Sequence, residues 1–204
     1  MRRWEAAEVI MKVLIVYAHP NLRSFNRAVL EAFTKGLSEG RHTYEVVDLY
    51  SIRFNPCLGG EDLASLMAGK TSDDIKEQQE KVSRSDGIVF IHPVWWTGPP
   101  AILKGWIDRV FSMGFAYRFD EKDGHPFGLL KLRKGMVINT AGAGEEDAKA
   151  SGMTNAIRQA EVTGVFSFSG IREVSHVMFH NVMKTDDKTR QRYLEEARRL
   201  GKDF

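Results

Sequence analysis

Short apolar runs alternate with amphipathic stretches along the chain. Residues 12–18 (KVLIVYA) and 87–93 (GIVFIHP) are apolar and rich in β-branched side chains, which is typical of strands buried on both faces of a parallel sheet. Residues 135–141 (GMVINTA) and 173–182 (EVSHVMFHNV) are similar but less purely apolar. Residues 43–50 (TYEVVDLY) alternate more clearly, as an edge strand does. The pattern therefore predicts five strands.

Amphipathic segments predict helices between these strands and after the last one. In residues 24–38, apolar side chains recur every fourth position and form one stripe of a helix: Phe25, Val29, Phe33 and Leu37. The other predicted helices are 73–84, 99–113, 152–165 and 186–200. Strand and helix alternate throughout, which predicts a doubly wound α/β fold with five parallel strands.

We find no repeat, low-complexity tract or linker in the sequence. A chain of 204 residues is long enough for one sizeable domain and short for two. We therefore expect a single domain over residues 11–204. Residues 1–10, which precede the first strand and a second methionine, are expected to be a loose N-terminal extension.

Composition excludes several classes of function. The net charge of +2 is small and the charged residues are interleaved, so we expect no nucleic-acid partner. No apolar run approaches the ~20 residues of a membrane span, so no membrane insertion is expected. The single cysteine, Cys57, cannot form an intramolecular disulfide, which favours a cytoplasmic location. No Cys/His cluster has the spacing of a zinc site, so no metal is predicted.

Ligands of doubly wound sheets bind outside the carboxyl ends of the strands, where the strand order reverses. Three loops follow strands at that edge: 19–25, 93–99 and 140–148. These loops are the candidate binding site.

The first loop (AHPNLRSFN) precedes a helix whose start presents free N–H groups to an anion such as phosphate. Ser24 and Asn26 add side-chain donors, His19 a ring N–H and Arg23 a charge. Alternatively, Ser24 is only a helix N-cap, as serines at that position usually are. The loop contains neither GxGxxG nor GxxxxGK[ST], so neither a dinucleotide fingerprint nor a P-loop is indicated.

The second loop (VWWTGPP) carries two adjacent tryptophans on a backbone stiffened by prolines. Trp95, Trp96 and Thr97 suit the rigid wall that a flat aromatic ligand needs. The alternative is that both tryptophans fill the core or an oligomer interface. Trp106, on the apolar stripe of the next helix, is predicted to lie in the core.

The third loop (NTAGAG) consists of small residues after a strand and before a helix. Small side chains at Thr140, Ala141, Gly142 and Gly144 let the backbone approach a ligand closely. A plain strand-to-helix turn is the alternative. Three suitable loops at one edge of one sheet are jointly more informative than any one of them.

The sequence resembles the flavodoxin-like NAD(P)H:quinone oxidoreductases. The blocks that carry the resemblance occur in order: YAHPNLRSFNRAVLEAF, DLY followed by FNP, HPVWWTGPPAILKGWIDRVFSMGFAYRF, and NTAGAG. They cover roughly residues 12–180, and the block over 92–119 is the most specific. The resemblance implies a flavodoxin-like three-layer sandwich with strand order 2-1-3-4-5.

The resemblance also assigns cofactor contacts where the blocks match. The phosphate end of the flavin would be held by His19, Ser24, Phe25 and Asn26. The isoalloxazine ring would lie along Pro93, Val94, Trp95, Trp96 and Thr97. Its pyrimidine edge would face Thr140, Ala141 and Gly142. An aromatic segment that helps to wall the partner's site in dimers of the family corresponds to Phe115, Tyr117 and Phe119.

The implied chemistry is flavin-dependent. NAD(P)H would reduce the flavin by hydride transfer, leave, and be replaced by a quinone or similar flat acceptor in a ping-pong cycle. The flavin carries the chemistry, so the only candidate catalytic residues are Gly142, near donors for the reduced ring, and Tyr117. FMN is favoured over FAD, because the long C-terminal extension of the larger FAD enzymes is missing. A homodimer is expected.

The sequence departs from the family after the fourth-strand glycines, where the best-studied quinone reductases carry a tyrosine and a histidine. Here the run Glu145–Asp147 either repels anionic substrates or forms the solvated first turn of a helix, which acidic residues favour. His92, His125, His176 and His180 are predicted to be structural or exposed.

Two other functions are compatible with the fold. One is a flavin-binding regulatory subunit of a membrane transport system, which the sequence does not distinguish from an enzyme. The other is a one-electron carrier of flavodoxin type, which the net charge of +2 and the absence of a Ser/Thr-rich phosphate loop disfavour.

Overall fold

Five parallel strands form the central sheet in the computed structural model, which describes residues 9–204 apart from the side chains of residues 66 and 67. The strands are β1 (Lys12–Tyr17), β2 (Thr43–Asp48), β3 (Gly87–Pro93), β6 (Lys134–Thr140) and β7 (Glu173–Phe179). Their order, β2-β1-β3-β6-β7, confirms the predicted order 2-1-3-4-5. Most of the expected N-terminal extension, residues 1–8, lies outside the described residues.

Burial along the strands follows their apolar content. Every residue of the apolar run in β3 is buried, whereas the alternating strand β2 lies at the edge of the sheet and exposes Tyr44 and Val46. Strands β1 and β6 end one residue earlier than predicted, and two other strands end earlier by two or three residues. β2 stops at Asp48 because Leu49 and Tyr50 enter a turn, and β7 stops at Phe179, before Asn181 adopts a positive φ of 53°.

All five predicted helical segments are helical. They contain α1 (Phe25–Glu39), α3 (Asp73–Ser83), α4 (Ala101–Val110), α6 (Met153–Ile157) with a π-helix (Arg158–Ser167), and α7 (Asp187–Lys202). Helix α4 is shorter than the predicted 99–113, because Pro100 is its N-cap and Phe111 its C-cap. None of the helices within residues 9–204 has the length and apolar content needed to cross a membrane.

Three short elements were not predicted from the sequence. They are the helix α2 (Gly60–Met67) and the antiparallel pair β4 (Tyr117–Phe119) and β5 (Pro126–Gly128). The short helix α5 (Glu145–Ala150) corresponds to one of the two interpretations of the acidic run. The two strands have three residues each, which is too short for a periodic pattern to be read.

Helices cover both faces of the sheet, so the fold is a three-layer sandwich. On one face, Phe90 of β3 packs with Trp106 and Phe166, and Trp106 is fully buried, as predicted. On the other face, α1 and α7 pack on β1 around Phe33. These two helices approach so closely that a Cβ at Gly36 would lie 1.9 Å from the carbonyl oxygen of Arg198.

Candidate functional site

The carboxyl ends of β1, β3 and β6 lie next to one another, since these three strands are neighbours in the sheet. The chain leaves β1 toward one side and β3 toward the other, so a crevice opens at this edge. The three loops predicted from the sequence all start here. Direct contacts between them define the geometry of the site.

The first loop ends at the start of α1. Ser24 is the N-cap, and its Oγ accepts a hydrogen bond from the Arg27 backbone N–H at 3.2 Å. Ser24 is therefore an N-cap, and its contact with a flavin phosphate stays a prediction. The first turn of α1 contains no acidic side chain, so its positive end is not neutralised locally. The backbone N–H groups of Phe25 and Asn26 belong to the set that no helix satisfies internally.

His19 lies half-buried beside this helix start. Its Nδ1 accepts a hydrogen bond from the Asn21 backbone N–H at 3.0 Å, so the ring proton of the neutral imidazole is on Nε2. Burial lowers the pKa of His19 below its ordinary value, which keeps the ring neutral near pH 7. Nε2 is therefore a neutral hydrogen-bond donor at the mouth of the loop.

Asn26 joins the first loop to the third. Its side-chain Nδ2 donates to Oγ1 of Thr140, at the end of β6. The Asn26 side chain is only 2% exposed, and its Oδ1 has no hydrogen-bond partner within residues 9–204. An amide can be placed either way round, so one polar end of Asn26 is buried without a protein partner in both orientations.

The second loop is a tight turn. Trp95 and Gly98 exchange two backbone hydrogen bonds, of 2.9 and 3.1 Å, and the residues between them, Trp96 and Thr97, have φ of 50° and 58°. Two successive positive φ values are those of a type I′ turn. They are unfavourable for a tryptophan and a β-branched residue. Functional sites are where such strain is commonly found.

The tryptophans of this turn are not in the core. Trp95 is 42% exposed and Trp96 is fully exposed, so the core alternative for the pair was wrong. The Trp95 ring lies 6.3 Å from the ring of His19, and the Val94 backbone N–H donates to the Thr140 carbonyl oxygen at 2.8 Å. The second loop thus touches both of the others.

The third loop has open space at Gly142, where a Cβ would meet no atom within 4 Å. Gly144 is the N-cap of α5, whose first turn is Glu145, Glu146 and Asp147. Glu145 pairs with Lys149 one turn later at 2.7 Å, and this pair lowers the pKa of Glu145. The acidic run is thus the first turn of a helix, which agrees with the second of the two interpretations.

The structure does not bring every predicted residue to the crevice. The Phe25 ring lies against α7, with the Arg190 guanidinium 5.6 Å from its centre, so its side chain does not face a phosphate group. Phe115, Tyr117 and Phe119 lie in and before β4. Tyr117 packs against Phe119 and Phe168 at ring distances of 5.9 and 5.1 Å. The aromatic segment is therefore a separate cluster next to the β4–β5 pair.

A buried polar network beneath the second loop was not predicted. His92 of β3, fully buried, lies 2.7 Å from a carboxyl oxygen of Glu161 in the π-helix. Asn139 of β6 contacts His92 and His176 of β7. The only sequence signal was a histidine at the end of an apolar strand. No group of three or more His, Cys, Asp or Glu side chains within residues 9–204 is arranged to hold a metal ion.

Comparison with known proteins agrees with this architecture. The sequence profile of the Flavodoxin_2 family, described as a flavodoxin-like fold, matches residues 11–200. An uncharacterized NAD(P)H oxidoreductase of Haemophilus influenzae is 35% identical over 188 residues, 92% of each chain. NAD(P)H dehydrogenase [quinone] 1 of Rattus norvegicus is 30% identical over 206 residues, 91% of this chain and 74% of that one.

A solved structure is similar over nearly the whole chain. The NAD(P)H:quinone oxidoreductase from Methanothermobacter marburgensis superposes with a TM-score of 0.88 at 38% identity, over 95% of this chain and 98% of that chain. The profile match and these relatives agree with the resemblance seen in the sequence blocks. The chain therefore belongs to the Flavodoxin_2 family, among its NAD(P)H:quinone oxidoreductase-like enzymes.

Proposed function

We propose that this protein binds FMN in the crevice formed by the three loops and uses it to pass two electrons from NAD(P)H to a quinone or similar flat acceptor. The names of its relatives, an NAD(P)H oxidoreductase and NAD(P)H:quinone oxidoreductases, support the electron donor and the class of acceptor. The observation that carries the cofactor proposal is the buried amide of Asn26, which retains one polar group without a protein partner.

The residues present fit a flavin phosphate. A phosphate needs hydrogen-bond donors and positive potential. The start of α1 offers backbone N–H groups, the hydroxyl of Ser24, the Nε2–H of His19 and, in its flipped orientation, the free amide group of Asn26. The first turn of α1 contains no carboxylate that would repel an anion.

The residues also fit a flat ring. Trp95 is partly exposed beside His19 and begins a turn closed by two backbone hydrogen bonds, so it can form a rigid wall. Open space at Gly142 leaves room for the edge of a ring to approach the backbone of the third loop. Backbone N–H groups there would stabilise negative charge on a reduced ring.

The chemistry itself comes from the cofactor. When bound, FMN would supply a ring that takes a hydride from NAD(P)H and returns two electrons to the acceptor in a ping-pong cycle. The protein's part is to bind and orient the ring and to exclude water. No nucleophile of the protein is needed, and Tyr117 lies with the aromatic cluster rather than among the three loops.

We propose further that the protein works as a cytoplasmic homodimer. Trp96 is fully exposed, and Phe119 is 50% exposed in the aromatic cluster. Large aromatic side chains exposed in this way are typical of protein interfaces. The single cysteine, Cys57, is free, which fits a reducing compartment. A sedimentation measurement that finds only monomer at micromolar concentration would contradict the dimer.

The cofactor proposal is tested by changing both Ser24 and Asn26 to alanine. Loss of two donors to a charged group should weaken FMN binding by about 100-fold or more, measured by quenching of flavin fluorescence. Ser72→Ala controls for the loss of a serine hydroxyl before a helix, and because Ser72, unlike Ser24, makes no side-chain capping bond, the melting temperatures of both variants are compared as well. Unchanged FMN affinity in the folded double variant would overturn the proposed phosphate site.

A further inference from the structure

Four polar side chains meet in the interior directly behind the second loop. His92, Asn139 and His176 belong to the neighbouring strands β3, β6 and β7, and Glu161 reaches them from the π-helix. His92 and Asn139 are fully buried and Glu161 is 2% exposed. A π-helix is rare and is frequently found at functional sites. The network therefore needs an explanation beyond core packing.

The hydrogen bonds of His92 and Glu161 indicate where this pair carries protons. His92 Nδ1 lies 3.0 Å from the carbonyl oxygen of Pro93, and a carbonyl oxygen can only accept, so Nδ1 carries a proton. His92 Nε2 lies 2.7 Å from Oε2 of Glu161 and 3.0 Å from Nδ2 of Asn139, and its contact with the carboxyl oxygen is a hydrogen bond when one of these two atoms carries a proton. The pair carries no net charge whether that proton is on the nitrogen or on the oxygen.

The Pro93 carbonyl is the point at which this pair acts on the loop. Pro93 ends β3 and begins the segment that leads into the Trp95–Gly98 turn. The next residue, Val94, is fixed by its N–H bond to Thr140. His92 and Thr140 thus anchor two successive residues at the entrance of the turn.

The turn needs such anchors. Trp96 and Thr97 both have positive φ, and residues with such backbone strain persist only where contacts with the surrounding structure hold them in place. Apolar pairs of similar volume often replace a buried ion pair with little loss of stability, and the main cost here is that Asn139 Nδ2 loses its contact with His92 Nε2. What an apolar pair cannot supply is the hydrogen bond that holds the Pro93 carbonyl.

We propose that His92 and Glu161 form a buried positioning pair that holds the strained Trp95–Gly98 turn in its binding-competent conformation. The effect on flavin binding rests on the proposed function. The effect on the turn does not, because it can be measured in the protein without cofactor. His92 acts through the loop and is therefore a positioning residue, not a catalytic one.

The test is the double variant His92→Phe/Glu161→Leu, which replaces the pair by apolar side chains and leaves no buried charge. Hydrogen exchange of the Trp95 and Gly98 amides reports on the turn, since each donates one of the two closing bonds. We expect a small fall in melting temperature, because the buried Asn139 Nδ2 loses its contact with His92. Protection of these amides should fall by about tenfold or more, and FMN affinity by a similar factor.

Two further variants separate positioning from general destabilisation. Gln78→Leu removes another buried polar contact on the same face, the one from the Trp106 indole N–H, and should leave the turn protected. Glu161→Gln can still hydrogen-bond to His92 Nε2 and should retain the protection of the parent. If the double variant keeps parental amide protection, the pair is only core filling and the proposal is wrong.

If the double variant does not fold, the positioning role of His92 is tested in the parent protein. Nitrogen NMR of labelled histidine must show His92 Nδ1 protonated and slow to exchange at pH 7, and an unprotonated or rapidly exchanging Nδ1 would overturn the proposal. A parent protein that binds neither FMN nor FAD would refute the proposed function. The amide-exchange result would then still test the positioning of the turn.

Discussion

Two helices, α1 and α5, begin at the same edge of the sheet, one after β1 and the other after β6, yet their first turns differ in charge. Helix α1 begins after Ser24 and has no acidic residue in its first turn. Helix α5 begins after Gly144 with three acidic residues in succession. Carboxylates in a first turn offset the helix dipole, so α5 satisfies its own positive end and α1 does not.

The difference indicates which helix start can receive an anion. Around α1 two polar groups can serve an anion: one polar amide atom of Asn26 has no protein partner within residues 9–204, and the ring N–H of His19 is on Nε2. Around α5 the charges pair within the helix, as Glu145 does with Lys149. A helix start alone does not make a binding site, and the surrounding side chains decide whether it is available.

The largest effect on FMN affinity is expected when an acidic side chain is placed in the first turn of α1, as in α5. Asn26→Asp preserves the size of the side chain and can still hydrogen-bond to the Thr140 hydroxyl. Its carboxylate would lie against a bound phosphate, so FMN affinity should fall by about 100-fold or more. Fluorescence titration measures this. Asn55→Asp, at an exposed loop position, is the control, and a similar loss in both variants would argue against a local effect.

A smaller loss of FMN affinity is expected when a large side chain occupies the open space at Gly142 in the third loop. Gly142→Leu meets no atom within 4 Å of the new Cβ and involves no positive φ, so the variant should fold normally. Its side chain would occupy the space proposed for the ring edge and should weaken FMN binding by about tenfold. Gly60→Leu, also in open space, is the matched control. Equal affinities for the two variants would exclude Gly142 from the site.

Removing the acidic turn of α5 should have little effect on binding. In the triple variant Glu145→Gln/Glu146→Gln/Asp147→Asn, the charges lost are solvent-exposed and screened, so FMN affinity should change by less than about threefold. The melting temperature should fall slightly, because helix dipole compensation is lost. A gain in affinity above about tenfold would show that the acidic run acts on the crevice after all.

The smallest effect concerns two histidines, one near each helix start. Burial lowers the pKa of both His19 and His180, and Glu145 partly opposes this shift at His180. An anion bound at α1 favours the protonated ring, so FMN should raise the pKa of His19 and leave that of His180 unchanged. NMR titration with and without FMN measures both values. A rise in the pKa of His180 alone would place the phosphate at α5 and contradict the proposed site at α1.

These lowered pKa values also fix the sign of a pH effect on stability. A histidine with a lower pKa in the folded state binds protons better when the chain is unfolded. The contribution of His19 and His180 is therefore present above their unfolded pKa of about 6.5 and is lost as the pH falls below it. Denaturant unfolding at several pH values would contradict this sign if stability rose on acidification.

The sequence predicted the sheet well because buried parallel strands are continuous apolar runs. The runs over β1 and β3 and the alternation in β2 gave the core strands and the edge strand. The three loops followed from the rule that ligands bind at the carboxyl ends of such strands. The contact between Asn26 and Thr140 is consistent with that expectation.

What the sequence did not reveal depends on tertiary contacts. Glu161 lies 69 positions after His92, and nothing in a polar and apolar mixture such as RQAEVTGVFS marks a π-helix or a buried glutamate. The side chain of Phe25 faces α7, where it contacts Arg190 and Tyr193. A motif gives a residue's place in the chain, but not the direction in which its side chain points.

The proposed function depends on flavin binding in the crevice at α1. The most direct test is an absorbance spectrum of the purified protein, followed by the mass of the compound released by acid. We expect flavin bands that are bleached by NAD(P)H and restored by a quinone, and the mass of FMN. A colourless protein that neither FMN nor FAD reconstitutes would contradict flavin binding, and only the fold would remain.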